Sequence, residues 1–130
     1  MNDDTGIMML TFDQRIPWTS KSRYTGKTVM LIDERAISQS EHSGLFYRAA
    51  NGTKFIGSPT TGANGDVTYF IAPGGIRINF SGHDVRWPDG KQLQRVGLTP
   101  DIEVHPTIEG IRAGRDEVLE RAVKYLETGR

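Results

Sequence analysis

The chain contains no cysteine, which excludes disulfides, thiolate nucleophiles and Cys-ligated metals. It also lacks an excess of either charge, since sixteen Lys and Arg balance sixteen Asp and Glu. These charges are spread along the chain rather than gathered in runs, so no nucleic acid or anionic membrane is expected as partner. No apolar run approaches the roughly 20 residues needed to span a bilayer. The opening Met1-Asn2-Asp3-Asp4 has neither a basic n-region nor an apolar h-region, so no signal peptide is expected there. His42, His83 and His105 offer no H-x-x-x-H spacing, and no metal site is expected. G-x-G-x-x-G and G-x-x-x-x-G-K are both missing, so no phosphate loop is expected, and no cofactor is called for.

What is present fits an ordinary globular protein: 130 residues, 36% hydrophobic and 25% charged. Gly6 to Phe12 reads as a short apolar strand, with a helix start the alternative that its pattern leaves open, and residues 17 to 27 read as a loop. Thr28 to Asp33 is a near-continuous apolar run with β-branched residues, the pattern of a buried strand. Ser38-Gln39-Ser40-Glu41 has the S-x-x-E spacing of a capping box, with Ser38 at the N-cap. Leu45, Phe46, Ala49 and Ala50 then recur at helical spacing, and Asn51-Gly52 supplies a stop. Lys54 to Gly57 is a second strand, completing a strand–helix–strand unit of parallel-crossover length.

Ser58 to Asp66 is dense in Gly, Pro, Asn and Thr and reads as a loop. Val67 to Ala72 and Ile76 to Phe80 alternate around Pro73-Gly74-Gly75, a hairpin by pattern and by turn chemistry. His83 to Trp87 reads as a further short strand. Val96 to Val104 reads as loop plus edge strand. From Arg115 to Glu127, Val118, Leu119, Ala122, Val123 and Leu126 form one helical stripe. No linker divides the chain, so a single α/β domain over 1–130 is expected. It has a leader segment at 1–27, core motifs at 28–104 and a C-terminal helix at 115–127.

Ser38 leads the candidates for chemistry. It follows a buried strand and opens a helix, where the free N–H groups of the first turn lie close by. A base would be needed to activate its hydroxyl, and the Gln39 N–H is a natural oxyanion donor. The competing reading is a plain helix cap. His42 lies four residues on, on the same helical face, as base, orienter or surface histidine. His83 precedes Asp84, an acidic residue of the kind that polarises an imidazole, though adjacency in sequence does not create that geometry. His105 precedes Pro106 near an expected edge and reads as solvated. So does Lys54.

In their order, these pieces resemble the C-terminal processing (tail-specific) peptidases. Relatives of that family include the tricorn core protease and the interphotoreceptor retinoid-binding proteins. The matching text is TVMLIDERAISQSE (28–41), KFIGSPTTGANGDV (54–67), APGGIRINFSG (72–82) and VGLTPDIEV (96–104). The resemblance implies a ClpP/crotonase-like α/β fold, a small mixed sheet flanked by helices, and peptide-bond hydrolysis through an acyl-enzyme. The nucleophile maps to Ser38, the first serine of S-x-S-E, with the Gln39 N–H in the oxyanion hole. The D-L-R-x-N-x-G-G type of segment that supplies a second donor has no match in residues 1 to 27. The chain therefore resembles the C-terminal part of a catalytic domain, inactive alone.

Two departures from the family matter. The Ser/Lys branch carries a lysine in the Gly-rich loop, where this chain reads Gly62-Ala63-Asn64-Gly65. The tricorn-like branch carries a glutamate three residues before the glycine of G-[IL]-x-P-D, where this chain has Gln94 before Gly97. The resemblance is thus closer to the tricorn and retinoid-binding branch, with Gln94 as an orienter of an imidazole that lies upstream. Losing the carboxylate charge there costs a factor on the order of 10⁴ in rate. A peptide or unfolded protein is the implied partner, added as a strand beside the hairpin at Gly65, Val67 and Tyr69. Homo-oligomerisation and a periplasmic or envelope location are further implications. A non-catalytic peptide- or ligand-binding module on the same fold stays open as the alternative. A crotonase-like acyl-thioester enzyme has no pocket signal.

Overall fold

The computed structural model describes residues 10–16 and 24–130. The strand expected from Gly6 to Phe12 lies mostly outside the described residues, and 10–12 carry no regular structure. The loop expected at 17–27 is described only from Tyr24 onward.

Three parallel strands form the centre of the molecule, in the order β1 (Val29–Ile32), β2 (Lys54–Gly57), β5 (Ile102–Glu103). Val29 pairs with Lys54 and Ile32 with Gly57, while Ile56 pairs with Ile102. β2 is central because its Phe-Ile pair buries both faces: Phe55 and Ile56 are each fully inaccessible. Full burial of side chains of this size stabilises a fold by about 1.5–3 kcal/mol each. Ile32, Phe55, Leu93 and Leu98 make the core cluster, with Met30, Leu45, Val85 and Trp87 packed around it.

Helix α1 (Gln39–Asn51) connects β1 to β2 and ends at Gly52, whose left-handed φ of 63° closes the last turn. Its apolar stripe is used only in part. Leu45 reaches the core, Ala49 and Ala50 stay exposed, and the buried positions are Glu41 and Gly44. Gly44 is buried because the Leu98 side chain lies against it. Helix α3 (Glu117–Thr128) packs on β1 and β2 and is capped by Asp116, which accepts the Leu119 N–H. Ala122 is its buried contact. A five-residue helix α2 (Ile108–Arg112), absent from the sequence expectation, is capped by Thr107, which accepts the Gly110 N–H.

Parallel and antiparallel pairing occupy two separate sheets. The second sheet is the hairpin of β3 (Val67–Ala72) and β4 (Ile76–Ser81), whose apolar side chains are largely exposed. The strand expected at His83 to Trp87 reduces to a single bridge, Arg86 to Gln92. Among the described residues no helix is long and apolar enough to cross a membrane.

Candidate active site

Ser38 stands at the N-cap of α1, exposed, with φ 55° and ψ −112°. An ordinary N-cap serine sits in the β region, with negative φ. For a residue with a Cβ the observed conformation is strained, at a cost of order 1–3 kcal/mol. This strained residue ends the connection that leads from β1 (last residue Ile32) into the first turn of α1. The next residue, Gln39, is the first of the helix, and its N–H makes no hydrogen bond among the described residues. An exposed hydroxyl therefore stands beside a helix-terminal N–H that has no partner among the described residues.

The Gly-rich loop holds this turn in place. Ser38 N–H donates both to Ala63 O at 3.0 Å and to Glu41 Oε2 at 3.1 Å. One residue earlier in the loop, Gly62 O accepts Arg95 N–H at 2.7 Å. Asn64 N–H donates to Gln94 Oε1 at 3.3 Å, and Gln94 Nε2 donates to His83 O at 3.2 Å. Gly65, at φ 127°, backs so closely onto this layer that a Cβ would lie 2.2 Å from His83 O. The three non-glycine residues with positive φ, Ser38, Asp66 and Arg95, all lie in this loop or hydrogen-bond to it. Backbone strain in the described chain is thus concentrated at one place, as at functional sites generally.

Among the described residues, none of the three histidines hydrogen-bonds Ser38. His42 Nδ1 meets Asn64 Nδ2 at 3.2 Å and its Nε2 meets Gln14 Oε1 at 2.6 Å, so both ring nitrogens are engaged away from Ser38. His83 Nδ1 pairs with Asp66 Oδ2 at 3.0 Å rather than with the adjacent Asp84, which binds Arg86. His105 pairs with Glu103 at 3.0 Å. Lys54 is not simply solvated: its Nζ binds Asp101 Oδ1 at 3.2 Å. Gln94 is occupied at both ends of its amide, and among the described residues it touches no imidazole ring by hydrogen bond.

The hairpin positions line up with the loop. Gly65 O accepts His83 N–H at 2.9 Å and Asp66 O accepts Gly82 N–H at 2.9 Å, so the pairing of β3 with β4 extends back to the Gly-rich loop. Val67 and Tyr69 follow directly, both exposed, with the Arg77 guanidinium 3.9 Å from the Tyr69 ring. The other edge of β3 has no strand partner among the described residues. Sequence reasoning missed the second role of Glu41. It looked like a cap, yet it is fully buried and also accepts from Thr60, Gly62 and Ala63. Thr60 was missed as well. The S-x-x-E spacing pointed at Glu41, but nothing in the spacing announces that a loop 20 residues on closes over it.

Residues 3–104 match the profile of peptidase family S41. The chain belongs to peptidase family S41. Among solved structures, a candidate peptidase from Parabacteroides merdae superposes with a TM-score of 0.75 at 24% identity, over 83% of this chain and 34% of its own. Mature CPAF complexed with lactacystin gives 0.70 at 22%, over 86% of this chain and 23% of its own. The tricorn protease gives 0.65 at 20%, over 88% of this chain and 12% of its own. No curated protein matches. The S41 chain thus shares the ClpP/crotonase-like fold expected from its motifs and spans about a third or less of these structures.

Proposed function

We propose that this S41 chain supplies the nucleophile side of a serine endopeptidase site. Ser38 Oγ attacks the scissile carbonyl carbon and passes its proton to a base. The tetrahedral oxyanion is received by the Gln39 N–H, and the C–N bond breaks as the amine leaves with that proton. Water then hydrolyses the acyl-enzyme by the same route. The observation that carries this reading is the strained residue Ser38, whose exposed hydroxyl stands beside a helix-terminal N–H with no partner among the described residues. The base and second oxyanion donor come from outside the described residues. Two facts support that: no His, Lys or carboxylate hydrogen-bonds the Ser38 hydroxyl among them, and the chain spans only part of each solved relative.

Substrate adds in extended form along the free edge of β3, leaving Gly65 and the loop as its path to Ser38. Main-chain pairing suits a sequence-tolerant peptidase. Gln94 holds the Asn64 end of the loop. To orient an incoming imidazole it would exchange one of its two present bonds.

With no base hydrogen-bonded to Ser38 among the described residues, and with Gln94 in place of a carboxylate, a second reading also has support: a peptide-binding module without cleavage. Both are tested with the full-length protein and an unstructured peptide substrate, followed by mass spectrometry. Cleavage that falls at least 10³-fold in Ser38→Ala supports the peptidase. Equal cleavage by both proteins contradicts it. Peptide binding with no cleavage by the wild type supports the second reading.

A further inference from the structure

Glu41 makes more contacts than a capping residue needs. A capping-box glutamate returns one hydrogen bond to the N-cap N–H, usually in solvent. Glu41 makes that bond to Ser38 and is nonetheless fully buried. Its Oε2 also accepts Ala63 N–H at 3.0 Å, while Oε1 accepts Gly62 N–H at 2.7 Å and the Thr60 hydroxyl at 2.5 Å. Four donors fill the acceptor sites of one carboxylate. Three of the four are backbone N–H groups, which can only donate. No Lys or Arg pairs with Glu41 among the described residues. A buried carboxylate without a counterion is held here by main-chain donors and by its place in the first turn of a helix.

The four donors come from the two segments that matter most. Ser38 is the proposed nucleophile, and 60–63 is the loop that leads to Gly65 and β3. Thr60 carries the linkage one step further, because its Oγ1 also accepts Leu98 N–H at 2.8 Å. The S-x-S-E turn, the Gly-rich loop and the G-L-T-P-D segment thus meet through a single carboxylate.

We infer that Glu41 is a positioning residue, which keeps the Ser38 turn in its strained conformation and fixed against the loop that delivers substrate. The inference rests on Ser38 being the nucleophile. It acts through geometry: the Ser38 hydroxyl and the Gln39 N–H keep one placement relative to the loop only while Ser38 N–H, Gly62 N–H and Ala63 N–H share an acceptor. Glutamine cannot replace it. Whichever way its amide is turned, the NH₂ faces at least one backbone N–H that has no alternative acceptor on this residue.

The test uses the full-length protein and Glu41→Gln, with two readouts on folded material. In the first, saturating fluorophosphonate inactivation gives a maximal rate and a half-saturation concentration. The maximal rate is expected to fall about 10²–10³-fold, the scale for a displaced oxyanion donor, with half-saturation within roughly threefold. In the second, NMR hydrogen exchange at Ser38, Gly62 and Ala63 is expected to accelerate at least about tenfold while Phe55 in β2 changes little. A wild-type maximal rate in the folded variant overturns the inference. So does unchanged exchange at the three amides, or acceleration spread evenly into β2, which marks a merely structural role. If the wild type is never labelled, the nucleophile reading fails and the exchange pattern alone judges the clamp. If Glu41→Gln does not fold, Thr60→Val takes its place. It removes one of the four donors, and an unchanged maximal rate and exchange pattern overturn the inference equally.

Discussion

Ser38 N–H donates to the Ala63 carbonyl at 3.0 Å, and that bond ties the start of α1 to the loop preceding β3. The adjacent carbonyl, Gly62 O, holds Arg95 N–H. A two-residue stretch of loop therefore carries the Ser38 turn on one carbonyl and the turn before Leu98 on the next. Displacing either is expected to disturb the other.

Strain at Ser38 predicts a trade between stability and function. Ser38→Ala keeps the Cβ and its unfavourable φ of 55°, whereas Ser38→Gly relieves it. Glycine is expected to be more stable than alanine here by about 1 kcal/mol, reversing the usual order at helix positions. Urea denaturation of the two variants measures the difference. Alanine at least as stable as glycine would remove the strain from the explanation.

Gly97 is expected to tolerate no side chain. At φ 75°, an added Cβ would lie 2.5 Å from Thr60 Oγ1 and 2.7 Å from Thr60 O. The second contact is backbone and cannot swing away. Gly97→Ala is expected to cost about 2–4 kcal/mol, combining overpacking with a left-handed backbone. Denaturant midpoints check this; a loss under about 0.5 kcal/mol contradicts the packing described.

Asp101 pins the sheet from the side. It accepts Phe55 N–H at 2.8 Å and Lys54 Nζ at 3.2 Å, and it pairs with Arg48, whose guanidinium lies 4.0 Å from the Phe55 ring. Burial pushes its carboxyl up, but the Phe55 and Lys54 bonds and the Arg48 charge outweigh that and hold it below its ordinary 3.8. A depressed carboxyl stabilises the fold fully above the ordinary value, and that contribution is lost as pH falls through the lower folded value. Asp101→Asn is therefore expected to cost about 2 kcal/mol at pH 7. The gap to wild type should shrink below about pH 3.8. A gap that stays constant down to pH 2 would show that charge plays no part.

Much of the fold was legible because the local signals agreed. The β-branched run at 28–33, the Asn51-Gly52 stop and the Pro73-Gly74-Gly75 turn each fixed an element to within about a residue or two. The helix α2 was not legible: five residues hold too few turns to show a period, and its cap, Thr107, resembles any loop threonine. Near the proposed site, the S-x-S-E spacing marked the start of α1 at Ser38 and Gln39, where the structure has it, and Gln94 stood out as a departure from the family pattern. The burial of Glu41, the pairing of His83 with Asp66, and the engagement of Lys54 by Asp101 depend on contacts between distant segments. Spacing within a segment carries no trace of them.

Strand addition at β3 predicts dependence on the substrate backbone. A peptide bound through main-chain pairing is expected to lose most of its affinity when alternate amides on the paired edge are N-methylated, with side chains unchanged. Amide shifts of Val67 to Ala72 during NMR titration report the binding. Equal affinity of the methylated and unmethylated peptides would place the substrate elsewhere.

Ser38 as nucleophile is tested most directly by treating the full-length protein with a fluorophosphonate and locating the adduct by tandem mass spectrometry. A single phosphonyl group on Ser38, absent from Ser38→Ala and from denatured protein, is the predicted result. Labelling of another residue, or equal labelling of wild type and Ser38→Ala, would contradict it.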